Sequence, residues 1–458
     1  MSHRMRFAGA TAGRSASGAG FRLFPRHSAA RYFLAACAFG ILALEAGCNK
    51  NNATGPVTGA GSVITVTGKV LGQNGQAVTG VPVSIRGIPS TNTDASGNFS
   101  FTGVTTPYDL SVINAAQNSA LIYKGLTRTD PVLVFPGTVT GTKYGGSING
   151  TITGGTFPSP GPRDITRVVW CSPEITQSAT AGANGSFGFA PSWYGPSTTT
   201  GGIYALQFTT DAAGFPVAGG YKGYGKLTGL ALANGAALSN QKDSLLPVTS
   251  TQFTASITLP GGYSLVGKAL FLQVTSTAAI QLVSDTSKNL SPSYYTPLVT
   301  GGTVALGIQI TGASGSGSIT WKNGNAAGAS GVGAAPIAPP ELSLPLDAAT
   351  NVDTNVTFSW TAMTGAIHVV QFIATNKANP TFYIITAGTS ATIPNLKSLG
   401  MGIPASAAYT WNVYGFGPVA GTDAAAGSVA WLTGFLTPGG SPQSYYGATP
   451  TRGFTTAP

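Results

Sequence analysis

Few side chains in this chain can do chemistry, and the scarce ones are spaced unhelpfully for it. His368 is the one histidine outside residues 1–47, which read as an export leader. It alternates with Ile367 and Val369, so it reads as a structural or surface strand residue rather than a ligand. A Ser-His-Asp triad would have to use it, and no G-x-S-x-G elbow accompanies it. No Cys/His pair has zinc spacing, and no D-x-D-x-D-G loop is present to cage calcium, so the expectation is no metal and no cofactor. Asp94 with Gly97 reads as hairpin chemistry. Two carboxylates from separate loops would be the remaining route to catalysis, as in glycoside hydrolysis. With 13 Asp and Glu in 458 residues, the chain reads as non-enzymatic.

Binding needs less than catalysis does. Trp193-Tyr194, Tyr221 with Tyr224, Tyr294-Tyr295 and Tyr445-Tyr446 fall in or near Gly/Pro-rich stretches that read as loops. Adjacent residues on a strand face opposite sides, so one of each adjacent pair can be exposed, where it would stack on a sugar ring or pack against a protein. The alternative reading is that these aromatics close the ends of sandwiches. Cys171, in V-V-W-C-S-P, reads as a small buried hydrophobe, because Arg167 is its only basic neighbour.

The elements that would position these residues begin with a leader. Arg22, Arg26 and Arg31 precede an apolar run from Tyr32 to Leu44. That run is too short for a bilayer core of ~30 Å and has the length of a secretory h-region. It ends Leu44-Glu45-Ala46-Gly47-Cys48, which resembles a bacterial lipoprotein signal, with Glu45 standing where that pattern has an aliphatic residue. The resemblance implies acylation of Cys48, a membrane as partner, and residence in the cell envelope at an outer membrane or cell surface. Ordinary cleavage to a secreted protein is the other reading. Residues 48–61, polar and Gly-bearing, then serve as a flexible tether.

The composition behind the leader is that of short strands joined by turns: 64 Gly, 30 Pro, 8% charged and 42% hydrophobic residues. The formal charge of +10 includes six leader arginines and Glu45, whose removal leaves 17 basic and 12 acidic residues. These are scattered with no Lys/Arg cluster to follow a phosphate backbone, so nucleic acid is excluded as a partner.

Period-two alternation marks strands at Val63–Val70 and Val81–Arg86, Phe99 and Phe101 share a face two residues apart, and Tyr108–Ile113 and Ala120–Tyr123 add strands. The ordered series G-K-V, V-P-V-S-I, T-D-A-S-G-N-F-S-F and Y-D-L-S-V resembles the carboxypeptidase regulatory-like domain. That likeness implies a transthyretin-like sandwich, close to the carbohydrate-binding-like fold, over 62–136, with no peptidase chemistry. Part of the series recurs: Ala95–Phe101 as Ala183–Phe189, Tyr108-x-Leu110 as Tyr204-x-Leu206, and Tyr123-Lys-Gly125 as Tyr221-Lys-Gly223. A second, related sandwich is therefore expected over 145–248, and 249–321 reads as a third β-domain or a continuation of the second. Residues 322–340, rich in Gly, Ala and Pro, read as a linker.

The stretch 341–458 carries Asn355-Val-Thr-Phe-Ser-Trp360, Leu396 and Tyr409-Thr-Trp-Asn-Val-Tyr414, and resembles a fibronectin type III domain. That likeness implies that the Tyr409 hydroxyl ties a corner. Residues 418–450 lengthen the final loop well past the family pattern. The expectation is an all-β protein of tandem Ig-like or transthyretin-like sandwiches behind a signal segment. Its role would be structural or adhesive, toward a glycan or an envelope protein, with the last module projected outward. Carbohydrate binding through the loop aromatics is the alternative.

Overall fold

The computed structural model describes residues 61–429 and 441–458, so the leader, Cys48 and nearly all of the tether lie outside the described residues. The chain is all-β. Its first three sandwiches share one seven-stranded plan. In the first, Val63–Gly72 pairs antiparallel with Asn98–Thr105 and parallel with Val132–Phe135. The facing sheet runs in the order Thr91–Asn92, Pro82–Ile85, Tyr108–Asn114, Ser119–Leu126, all antiparallel.

The second follows the same order and sense. Ser147–Gly154 lies between Ser186–Phe189 and the parallel strand Ala237–Leu245, against a sheet of Thr176–Thr180, Asp164–Cys171, Thr198–Thr210 and Pro216–Ala233. The third repeats it from Ser250–Ile257, between Ser293–Pro297 and the parallel strand Val332–Ala334. Its facing sheet is Ala279–Asp285, Tyr263–Gln273, Thr303–Gly312 and Gly317–Asn325. Residues 249–321 thus begin a sandwich with its own complete strand set. Its sixth strand runs to Asn325 and its seventh is Val332–Ala334, so the stretch expected as a linker carries structure that closes this sandwich. A three-residue Val-Gly-Ala strand gives no alternation to read, which is why composition pointed to a linker.

The repeated hairpin explains the sequence recurrence. Asp94 Oδ1 accepts from the Ser96 and Asn98 N–H groups at 2.8 Å each, and Asn184 Oδ1 accepts from Ser186 N–H at 3.0 Å. Phe99 and Phe101 then face one core with ring centroids 5.9 Å apart; Phe187 and Phe189 do the same at 5.8 Å. Opposite each leading ring stands a glycine: Gly68 pairs with Phe99 and Gly150 with Phe187. A Cβ on Gly68 would come within 2.3 Å of the Phe99 ring, and one on Gly150 within 2.5 Å of Phe187.

The last module places Leu342–Leu344, Phe358–Trp360 and Ser390–Ala391 in one sheet, facing Ile367–Ala374, Thr381–Thr386 and Ala408–Gly417. Phe358 is its centre, with ring contacts to Phe372 at 4.6 Å, Trp411 at 4.9 Å and Phe454 at 5.3 Å. The Tyr409 hydroxyl donates to the Pro380 carbonyl, 29 residues upstream, so it ties the base of Thr381–Thr386 rather than a corner just before its own strand. The long insertion ends in Gln443–Ala448, which pairs with Tyr414–Gly417. Arg452–Thr456 pairs with Ala408–Trp411 farther down the same strand.

This module does not project outward. Thr381–Ile385 pairs parallel with Ser119–Tyr123 of the first sandwich, and Gln443–Ala448 pairs with Gly317–Lys322 of the third. A single 14-stranded sheet therefore runs through the first, last and third sandwiches. Both faces of its central strands are buried. Leu121, Tyr123, Val369, Tyr383, Tyr414 and Phe416 join the core of the first sandwich, while Ile122, Val370, Ile384 and Trp411 join that of the last. The second sandwich lends Val169, Leu206 and Phe208 to the core that contains Phe253, Leu270 and Ile280 of the third.

Polar contacts pin the same junction. The Asp423 carboxylate, on the short helix Thr422–Ala425, accepts from the Thr127 and Arg128 N–H groups at 2.9 and 3.2 Å, and Val132 N–H donates to Ala426 O at 2.7 Å.

Two predictions follow from this packing. Gly68→Ala overpacks the first core and lowers stability by about 2 kcal/mol in urea denaturation, and Gly150→Ala does the same in the second. Asp423→Ala strands two N–H groups, which costs about 2 kcal/mol and speeds hydrogen exchange at residues 127–132 relative to the rest of the first sandwich.

Candidate functional site

The aromatics read as exposed loop residues are packed inward. Trp193 is 0% exposed, and its indole N–H donates to Pro196 O at 2.8 Å. Tyr221, Tyr294, Tyr445 and Tyr446 are also buried, while Tyr194, Tyr224 and Tyr295 are half-buried. Their hydroxyls hold the fold: Tyr221 donates to Tyr295 O at 2.8 Å and Tyr445 to Thr364 O at 2.9 Å. Five of the eight are thus buried, and Tyr194, Tyr224 and Tyr295 keep partial exposure. The reason is that Trp193, Tyr221, Tyr294 and Tyr445 lie on strands, not loops, and each strand turns them toward a shared core.

His368 is likewise interior. Its Nε2 accepts from the Met363 N–H at 3.2 Å and its ring meets Trp360 edge-on at 5.7 Å. Burial holds its pKa below the ordinary histidine value, which keeps the ring neutral. Cys171 is buried and receives the Thr176 hydroxyl at 3.3 Å.

Two carboxylates are interior, with opposite electrostatics. Asp285 is 4% exposed and its Oδ2 lies 3.1 Å from the Nζ of Lys268, itself 1% exposed. That ammonium also donates to the carbonyls of Ser287 and Asn289 at 2.8 and 3.0 Å, and the Tyr294 hydroxyl donates to Asp285 Oδ2 at 2.6 Å. Burial pushes the Asp285 carboxyl up, but the bonds from Tyr294, Ser287 and Lys268 outweigh it and hold the pKa below the ordinary value. Asp243, also 4% exposed, has no partner for Oδ2, lies against Gly225, and is pushed up to about 6 by burial. Neither arrangement has a second acid at catalytic spacing, and no group of three metal-ligating side chains occurs among the described residues.

What the fold builds instead is a polar cleft. At one end of the first sandwich a cleft of 540 Å³ opens between the turn at 76–81, the 3₁₀ helix Ala115–Gln117 and the connector 138–141. Gln76, Thr79, Asn114, Gln117, Thr138 and Thr140 give it amide and hydroxyl groups over an apolar floor that includes Val78, Val81 and Val139. The Gln117 carbonyl accepts from the Thr138 hydroxyl at 2.6 Å and from Asn114 Nδ2 at 3.1 Å, which fixes the amide. Asn74, fully buried, donates to Thr140 O at 2.6 Å and ties the connector down. Sequence reading passed over these residues because neutral amides and threonines in turns form no motif; their only signal was position beside the Gly72–Gly75 turn.

No family model matches the chain, and no curated protein does. Among solved structures it is similar to the TIE protein of Bacillus anthracis, at 10% identity over 54% of this chain and 45% of that one, with a TM-score of 0.15. The chain thus spans less than half of that structure's length. It is also similar to GBS52, the minor pilin of Streptococcus agalactiae, at 8% identity over 40% and 97% of the two chains, TM-score 0.16. Two B repeat units of the Staphylococcus aureus collagen binding protein match at 11% identity over 77% and 93%, TM-score 0.12. Likenesses at these scores carry nothing beyond the β-sandwich class already visible in the strands.

The two carboxylates give opposite pH signatures. Asp243 has a folded pKa above its unfolded value of 3.8, so its contribution is fully present below about 4 and is lost as pH rises through about 6. Asp243→Asn removes that loss, and its urea midpoint gains on the parent's between pH 4 and 7; a constant difference across that range would refute the assignment. Asp285, held low, stabilises above its unfolded value and loses that contribution as pH falls through its folded pKa. Asp285→Asn leaves the Lys268 ammonium buried without a counter-ion and costs about 3 kcal/mol at pH 7.

Proposed function

We propose that the protein is an exported, lipid-anchored component of a bacterial cell envelope, with a structural or adhesive role and no enzymatic chemistry. The observation that carries this reading is where the acidic residues are spent. Asp94, Asp211 and Asp353 cap turns, Asp164 holds the loop at 156–161, Asp423 clamps two modules, and Asp285 neutralises a buried lysine. These six carboxylates are committed to turns, a loop, a junction and an ion pair, which supports a structural use of acidic residues over a catalytic one.

The body is suited to bearing load or presenting a surface. Strand pairing and shared cores join sandwiches that are distant in sequence, so the unit on the end of the tether is a block rather than a flexible string of modules. Acylation of Cys48 would hold that block at a membrane. A single acyl chain binds a membrane only reversibly, so firm attachment needs more than one. No helix among the described residues is long and apolar enough to cross a membrane.

Cell fractionation tests the anchor. The parent is expected in the membrane fraction, released by detergent and not by salt, and Cys48→Ser is expected to move it to the soluble exported fraction. A Cys48→Ser protein that remains as firmly attached as the parent would sink the lipid-anchor reading.

A further inference from the structure

We infer that the cleft at the end of the first sandwich binds a neutral saccharide unit, which deepens the adhesive reading by naming what is gripped. Its volume of 540 Å³ lies within the range of about 300–1,000 Å³ typical of small-molecule sites. The class of ligand follows from the lining. No Lys, Arg, Asp, Glu or His borders the cleft, so a charged group entering it would lose water without gaining a counter-ion. A wholly apolar ligand would desolvate the Gln76 amide, the Thr79 hydroxyl and the Gln117 Nε2 and return no hydrogen bond. An extended peptide needs a free strand edge for its backbone, and the walls here are a turn, a 3₁₀ helix and an irregular connector. A pyranose matches on both counts, with C–H faces for the half-buried Val81 and Val139 and hydroxyls that both donate and accept for Gln76, Thr79 and Gln117.

The polar groups are also held ready. With its carbonyl occupied by Thr138 and Asn114, the Gln117 amide keeps Nε2 free to donate, and its backbone is fixed by the Asn114 side chain, which accepts the Gln117 N–H at 3.3 Å. The side chains of Gln76 and Thr79 make no hydrogen bond within the described residues, so their capacity is available to a ligand at no cost to the fold. Groups fixed before binding lose little entropy on contact.

Saturation-transfer NMR on the purified protein tests this with glucose, galactose, mannose, N-acetylglucosamine and their dimers, with glucuronate and a capped trialanine as comparators. At least one neutral sugar is expected to bind, with a dissociation constant on the order of a millimolar. Thr79→Val and Gln117→Ala are each expected to weaken binding roughly tenfold, the loss of about one hydrogen bond. Thr79→Val removes only an unbonded hydroxyl and keeps the side-chain shape, so its thermal midpoint should match the parent's and it decides the matter if Gln117→Ala unfolds. No binding by any neutral sugar, preference for glucuronate or trialanine, or binding indifferent to Thr79→Val would overturn the inference. Failure here leaves the membrane attachment of Cys48 untouched, because fractionation reads the anchor independently of the cleft.

Discussion

The structure depends on a sheet that is apolar on both faces. A sandwich ordinarily buries one face of each sheet and leaves the other to water, and its strands alternate accordingly. Here Ala120-Leu-Ile-Tyr123, Phe382-Tyr-Ile-Ile385 and Val369-Val370 bury consecutive side chains on opposite sides. Each buried aliphatic or aromatic side chain is worth about 2 kcal/mol, so leaving that second face wet would forfeit about as much as the whole stability of a domain. The strands are satisfied only when the first and last sandwiches share a core and the sheet runs on into the third.

That requirement also closes the sheet edges. The outer strands of the first and third sandwiches, Ser119–Leu126 and Gly317–Asn325, would present unpaired backbone groups if each unit stood alone. Strands of the last module take those places, one parallel and one antiparallel. Gln443–Ala448 is paired on both sides, and Gly447 sits between Gly415 and Ser318 in the ladder. The segment after Gly417 is thus what welds the module to its neighbours, through Asp423 and Gln443–Ala448.

Polar chemistry is subordinate to this packing. Lys268 and Asp285 are tolerated in a dry core because each finds the other and the remaining bonds are met by Tyr294 and two loop carbonyls. Asp243 has no such partner and carries a raised pKa as the result. The proposed saccharide cleft differs from both, since its polar groups are neutral and Gln76, Thr79 and Gln117 are not enclosed in the core. A block that displays neutral hydrogen-bonding groups on a rigid frame can bind without spending entropy on ordering them.

The sequence by itself determined the all-β class and the repeated hairpins of the first two sandwiches, because turn chemistry and alternation are local. Asp94-Ala-Ser-Gly97 and Asn184-Gly185 dictate their turns from within a few residues. Only the tertiary structure decided that Val332–Ala334 is a strand, that Trp193, Tyr221, Tyr294, Tyr445 and Tyr446 are buried on strands, and that the last module lies between the first and third sandwiches. Those outcomes rest on contacts across as many as 296 positions, such as Thr127 with Asp423. No local pattern reports which distant surface will cover a second apolar face, so the runs at 120–123 and 382–385 do not say what covers them.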